Sequence, residues 1–137
     1  MKENLRLEYS AITFSALIFV LVIPFLEVSP THVLNPDWPG HARLHEVWQL
    51  TSNIALSLLA CWLVLTERSV KLGLGIGLIL SGAFVVAWLS SSFYGGSMLH
   101  SDGTEVAIGN INLGVLIMLI NLLLLSAAMF RRQLGSS

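Results

Sequence analysis

Leu72-Gly-Leu-Gly-Ile-Gly-Leu-Ile-Leu-Ser-Gly-Ala-Phe-Val-Val-Ala-Trp-Leu-Ser-Ser-Ser-Phe93 runs for 22 residues without a charge. A helix needs roughly 20 mostly apolar residues to cross the hydrocarbon core of a bilayer, so this stretch reads as a membrane span. Working outward, three more runs have the same character, giving spans at about 11–27, 41–65, 72–93 and 105–130. Of the 137 residues, 55% are hydrophobic and 11% charged, and the mean hydropathy is +0.78. A soluble domain of this size carries about a quarter charged residues, so water is not the main solvent of this chain. The expected fold is an all-α integral membrane protein, a four-transmembrane-helix up-down bundle over residues 1–132 with a polar tail at 133–137. The first hydrophobic run ends in Glu27-Val-Ser-Pro30 rather than a small-x-small cleavage site and reads as an uncleaved helix.

The punctuation supports these boundaries. Pro24 and Glu27 close the first span, and Pro30, Asn35, Pro36, Asp37, Pro39 and Gly40 mark a loop. Asp37 or Trp38 is the expected cap of the second helix, with Pro39 in its first turn. Asp102-Gly-Thr-Glu105 has capping-box spacing and is read as the start of the fourth helix. Gly73, Gly77 and Ser81 recur every four residues, the spacing that lets membrane helices approach closely; this face is expected against a neighbour helix and is the candidate surface for a homo-oligomer or a membrane-complex partner.

Basic residues set the orientation. Lys2, Arg6, Arg68, Lys71, Arg131 and Arg132 fall on one side of an even-numbered bundle and only Arg43 on the other. Because cytoplasmic segments keep an excess of Lys and Arg, both termini are expected in the cytoplasm, with the first and third connections on the outer face of a bacterial inner membrane. The net charge of −1 and the absence of a larger basic cluster exclude a nucleic-acid footprint. Cys61 is alone in an apolar stretch, so a disulfide within the chain is excluded and a packing role is expected.

The chemistry gathers on the outer side. All four histidines lie in or beside the two outer connections, with Glu27, Asp37, Glu46, Asp102 and Glu105. His41 and His45 are one helical turn apart and project from one face, where two imidazoles can share a metal ion. Asp37 above them or His100 from the other loop completes a candidate ligand set for a divalent metal, Zn, Fe or Cu. The zinc-peptidase motif is excluded, since its glutamate position is held by Ala42. Glu46 and Glu105 are the candidate acid or base. Against this stand plainer readings: rings anchored at the headgroup level beside Trp38 and Trp48, Asp37, Asp102 and Glu105 as helix-capping acids, and an Arg43–Glu46 pair on one helix face.

Below the surface, Asn53 and Ser57 on the second helix, and Asn110, Gly114 and Asn121 on one face of the fourth, are expected either to join helices or to line a cavity; Asn112 is expected to point elsewhere. The expected substrate pocket is lined by Trp48, Gln49, Asn53, Ser91, Tyr94 and Asn110. No nucleophile elbow, P-loop, dinucleotide fingerprint or Cys-x-x-Cys is present. In general outline the chain resembles the small four-helix bacterial membrane proteins, the DoxX-like group among them, without a motif that assigns a family. Three functions are compatible with these residues. The leading one is a metal-dependent or acid–base enzyme, or redox subunit, acting on a lipophilic molecule such as a lipid, sterol or quinone; the second is a non-enzymatic assembly subunit; the third is a small transporter.

Overall fold

The computed structural model describes residues 5–134, which are mostly helical. Four helices are long and apolar enough to cross a membrane: α1 (Arg6–Glu27), α2 (Gly40–Leu65), α3 (Val70–Leu89) and α5 (Leu113–Leu134). A single turn, α4 (Ser91–Tyr94), and a two-stranded hairpin, β1 (Ala107–Ile108) with β2 (Ile111–Asn112), occupy the long connection before α5. Helix α1 packs on α2 and α5, and α3 packs on α2, on α5 and less extensively on α1.

Helix α1 carries a π-helical segment, Ile18–Val22, in which the Ile23 N–H donates to the carbonyl of Ile18, five residues back. The cause lies in Pro24: it has no N–H to give, and its ring crowds the carbonyl of Val20, so the turn before it widens. Helix α2 begins at Gly40 with Pro39 as its N-cap, and the Pro39 carbonyl accepts from the N–H groups of Ala42 and Arg43 at 3.0 and 3.2 Å. Asp37 therefore precedes the helix instead of capping it; its own N–H donates to Asn35 Oδ1 at 2.9 Å in a tight turn.

The fourth long helix starts at Leu113, eight residues later than the sequence spacing predicts. Asp102-Gly-Thr-Glu105 is a turn, not a capping box: Asp102 Oδ1 accepts from the Thr104 N–H and hydroxyl at 2.9 and 2.7 Å. The hairpin that follows turns at Gly109-Asn110, where Gly109 takes a φ of +63° that a side chain would resist. The true N-cap of α5 is Asn112, whose Oδ1 accepts from the N–H of Gly114 at 2.9 Å and of Val115 at 3.3 Å.

One end of the molecule is tightly packed. Leu5, Ala11, Ile12, Ala60, Val64, Val70, Leu74, Leu125 and Ala128 form a buried cluster there. Gly73 belongs to it, because a Cβ at that position would stand 2.6 Å from Val64 Cγ2 and 2.7 Å from the Ala60 carbonyl. Gly77 faces Leu125 and Ile12, and Ser81 is fully buried. The Gly73, Gly77, Ser81 face thus meets its neighbour helices within the chain. Polar bonds reinforce the same end: buried Glu8 pairs with Arg131, and the Tyr9 hydroxyl donates to Glu67 at 2.8 Å. Midway along the helices, the fully buried Asn121 amide donates to Ser15 of α1 at 3.1 Å and to Ser81 of α3 at 2.8 Å, tying three helices together. Asn110, expected on the face of Asn121, sits instead in the hairpin turn, so helical spacing does not relate the two.

Candidate functional site

At the other end the two long connections meet. Asn35 Nδ2 donates to Ser101 Oγ at 2.8 Å, and Ser101 in turn donates to the Thr31 carbonyl at 2.9 Å. The rings of His32 and His100 stand edge to face, 4.9 Å between centroids, and Trp38 lies edge-on to His32 at 5.8 Å. Beneath this contact the helices enclose a cavity of about 470 Å³.

Each long helix contributes to its wall: Phe19, Ile23, Leu26 and Glu27 from α1, then Glu46, Gln49, Leu50 and Asn53 from α2. Helix α3 adds Ile79, Leu80, Ala83, Phe84 and Ala87, and α5 adds Gly114 and Met118. His32, Trp38, Ser97, Met98, Leu99, His100, Val106 and Asn112 close the loop end. The π-helical segment of α1 supplies Phe19 at this level, and π turns inside α-helices concentrate at functional sites. Leu26, Gln49, Ile79, Ala83 and Gly114 line the cavity and are exposed, so it is open to the surface of the molecule. The walls are aliphatic and aromatic, while the ionisable groups, Glu27, Glu46, His32 and His100, gather toward the connections. An apolar cavity with a few convergent polar groups is the usual form of a small-molecule site.

His32 Nε2 lies 3.5 Å from Glu27 Oε2, and its Nδ1 lies 3.0 Å from Thr31 Oγ1 and 3.3 Å from Ser29 Oγ. A carboxylate offers only acceptors, so the neutral imidazole meets it best with the proton on Nε2, leaving Nδ1 to accept from the hydroxyls. Burial, and next the neighbouring His100 imidazole, hold His32 below the usual histidine range. His100 is itself placed by Thr104, through its N–H to the Thr104 carbonyl at 2.7 Å and its Nδ1 against the hydroxyl at 3.2 Å. The hydroxyl and N–H of Thr104 also hold the exposed Asp102 carboxyl below the ordinary carboxylate range, and it serves the turn.

The sequence-derived candidates divide among three places. Glu46, Gln49, Asn53 and His100 line the cavity. Ser91 and Tyr94 border a smaller adjoining pocket of about 120 Å³, where the Tyr94 hydroxyl donates to the Ala87 carbonyl at 2.7 Å. His41, His45 and Trp48 share an exposed face of α2 outside the cavity: the two Nε2 atoms are 3.0 Å apart, and Trp48 stacks on His45. Asp37, Glu105 and Asn110 lie on the exposed connections; Glu105 Oε2 accepts from Asn112 Nδ2 at 3.3 Å. His100 thus joins His32 rather than the His41–His45 pair, and no group of three His, Cys, Asp or Glu side chains converges on one metal-sized point among the described residues.

Glu27, His32 and Asn112 are polar cavity residues that helical spacing does not select. Glu27 and His32 flank a helix end, where no periodicity relates them, and Asn112 was assigned to a helix that begins only after it. Comparison with known proteins finds no match, whether among family models, curated proteins or solved structures.

Proposed function

We propose that the chain is a bacterial inner-membrane protein, an up-down bundle with both termini in the cytoplasm, that binds a lipophilic small molecule in this cavity and exchanges protons with its polar end. The observation that carries the reading is the cavity's division: apolar walls open to the surface of the helices, and a carboxylate and imidazole group under the two connections. With the helices in a bilayer, exposed apolar lining residues such as Leu26 and Ile79 face acyl chains, so an apolar ligand enters sideways without crossing water. Glu46 is the acid or base, and the Glu27–His32 pair relays its proton toward the connections. Glu105 lies outside the cavity and has no direct part.

Organic extraction of detergent-purified protein followed by mass spectrometry tests this. A lipophilic compound retained by the wild type and lost from Ala83→Phe, which fills the wall of the cavity, is the expected result; equal retention by both proteins refutes it.

A second reading concerns the exposed histidine pair. Zinc holds imidazole nitrogens at about 2.0–2.1 Å, which sets two such ligands roughly 3.3 Å apart, and the Nε2 atoms of His41 and His45 are 3.0 Å apart. The pair therefore suits two positions of a divalent metal site, with water or other donors in the rest. Elemental analysis of the wild type beside a His41→Ala, His45→Ala double variant decides it: metal lost in the variant supports the site, and equal content removes it.

A further inference from the structure

The charge of the cavity specifies its ligand more closely, on the reading that the cavity holds a lipophilic molecule. Two carboxyl groups, Glu27 and Glu46, line it, and no lysine or arginine does; Arg43, on the same helix as Glu46, is outside the lining. Glu27 has an imidazole within 3.5 Å, but Glu46 faces the cavity with no hydrogen-bond or ion-pair partner among the described residues. An acidic side chain at membrane depth is costly unless it meets a partner or water. The cavity in front of Glu46 leaves room for such a partner.

An anionic head, a carboxylate or phosphate, would meet two carboxyl groups that repel it when ionised, with the imidazoles of His32 and His100 as the only cationisable groups in the lining. A cation meets attraction from both carboxylates. It also finds an indole beside them, since Trp38 lines the same end, and aromatic faces bind ammonium groups. The rest of the wall, Phe19, Ile23, Leu50 and Phe84 among it, gives an apolar body somewhere to lie.

We propose that the ligand is a lipophilic cation, a protonated or quaternary amine on an apolar body, with its charge at Glu46 and Glu27 beside Trp38 and the body along the walls below. The site selects by sign as well as by hydrophobicity.

The probes are tetraphenylphosphonium and tetraphenylborate, bodies of nearly equal shape and opposite charge, measured by equilibrium binding to the detergent-purified full chain. Saturable binding of the phosphonium, at least about tenfold tighter than that of the borate and weakened about tenfold in Glu46→Gln, is expected. The wild-type comparison needs no variant, so the selectivity is read even if Glu46→Gln fails to fold. Borate binding as tightly as the phosphonium, or an uncharged compound being the one retained by wild type and lost from Ala83→Phe, overturns the charge assignment and leaves the cavity reading in place. Binding of neither ion, with no compound retained, overturns both.

Discussion

Asn35 and Ser101 hold the two long connections together: the buried Asn35 amide donates to the Ser101 hydroxyl at 2.8 Å, while its Oδ1 accepts from the Asp37 N–H at 2.9 Å. One side chain thus ties both loops and fixes the turn that leads into α2. Asn35→Ala removes both bonds and leaves their partners, Ser101 and Asp37, to water, at a cost of about 0.5–1.5 kcal/mol for each bond. The expected result is a lower Tm by thermal unfolding in detergent, with faster amide exchange confined to the two connections.

Two glycines on α3 make opposite predictions. A Cβ at Gly73 would stand 2.7 Å from the Ala60 carbonyl, a backbone atom that cannot rotate away, whereas a Cβ at Gly82 meets nothing within 4 Å. Gly73→Ala should therefore spread α2 from α3 and cost about 1–3 kcal/mol. Gly82→Ala should leave Tm unchanged or raise it slightly, by reducing the freedom of the unfolded chain.

Glu8 is 1% exposed and paired with Arg131, whose side chain is 42% exposed. Arg131→Met strips the cation from a buried carboxylate, a loss of about 3–5 kcal/mol for a wholly buried pair and less here because the guanidinium reaches solvent. Adding Glu8→Leu to Arg131→Met should recover most of the lost Tm, since it removes the stranded charge. If the double variant is no more stable than the single one, the ion pair is not what holds these helix ends.

His32 gives a pH dependence with a fixed sign. Burial and His100 depress its folded value below the unfolded value of about 6.5. Between the two values the unfolded chain binds more protons, so stability rises with pH across that window. The contribution of His32 is whole above about pH 6.5 and is lost as the pH falls toward the folded value. Glu27, Glu46, His100 and Asp102 face it, so the measurement is a difference. Wild type should lose more Tm than His32→Gln between pH 7.5 and pH 5.5, a range set about the ordinary histidine value; parallel curves would exclude this source.

The four long helices were legible because hydropathy is a local property of the chain. The start of α5 was not, since Asp102-Gly-Thr-Glu105 fits a cap and a turn equally well. The signal that separates them lies further on: Gly109-Asn110 between Ala107-Ile108 and Ile111-Asn112 marks a two-residue hairpin, and a helix cannot begin until that hairpin ends. The cavity was half legible. Spacing along α2 places His41 beside His45 and Glu46 beside Gln49 and Asn53, but only the packing of α1 and α3 decides which of these stripes faces inward. Glu27 and His32 become neighbours through the folding of one loop, which leaves no periodic trace.

The stitching of the molecule is uneven along its length. Glu8–Arg131, Tyr9–Glu67 and the close contact at Gly73 clamp the end that carries the termini, while the opposite end is fastened by Asn35, Ser101 and the ring contacts of His32. Such an object behaves as a pair of tweezers riveted at the base. Parting the tips requires only a few loop bonds to break, with the rivet undisturbed.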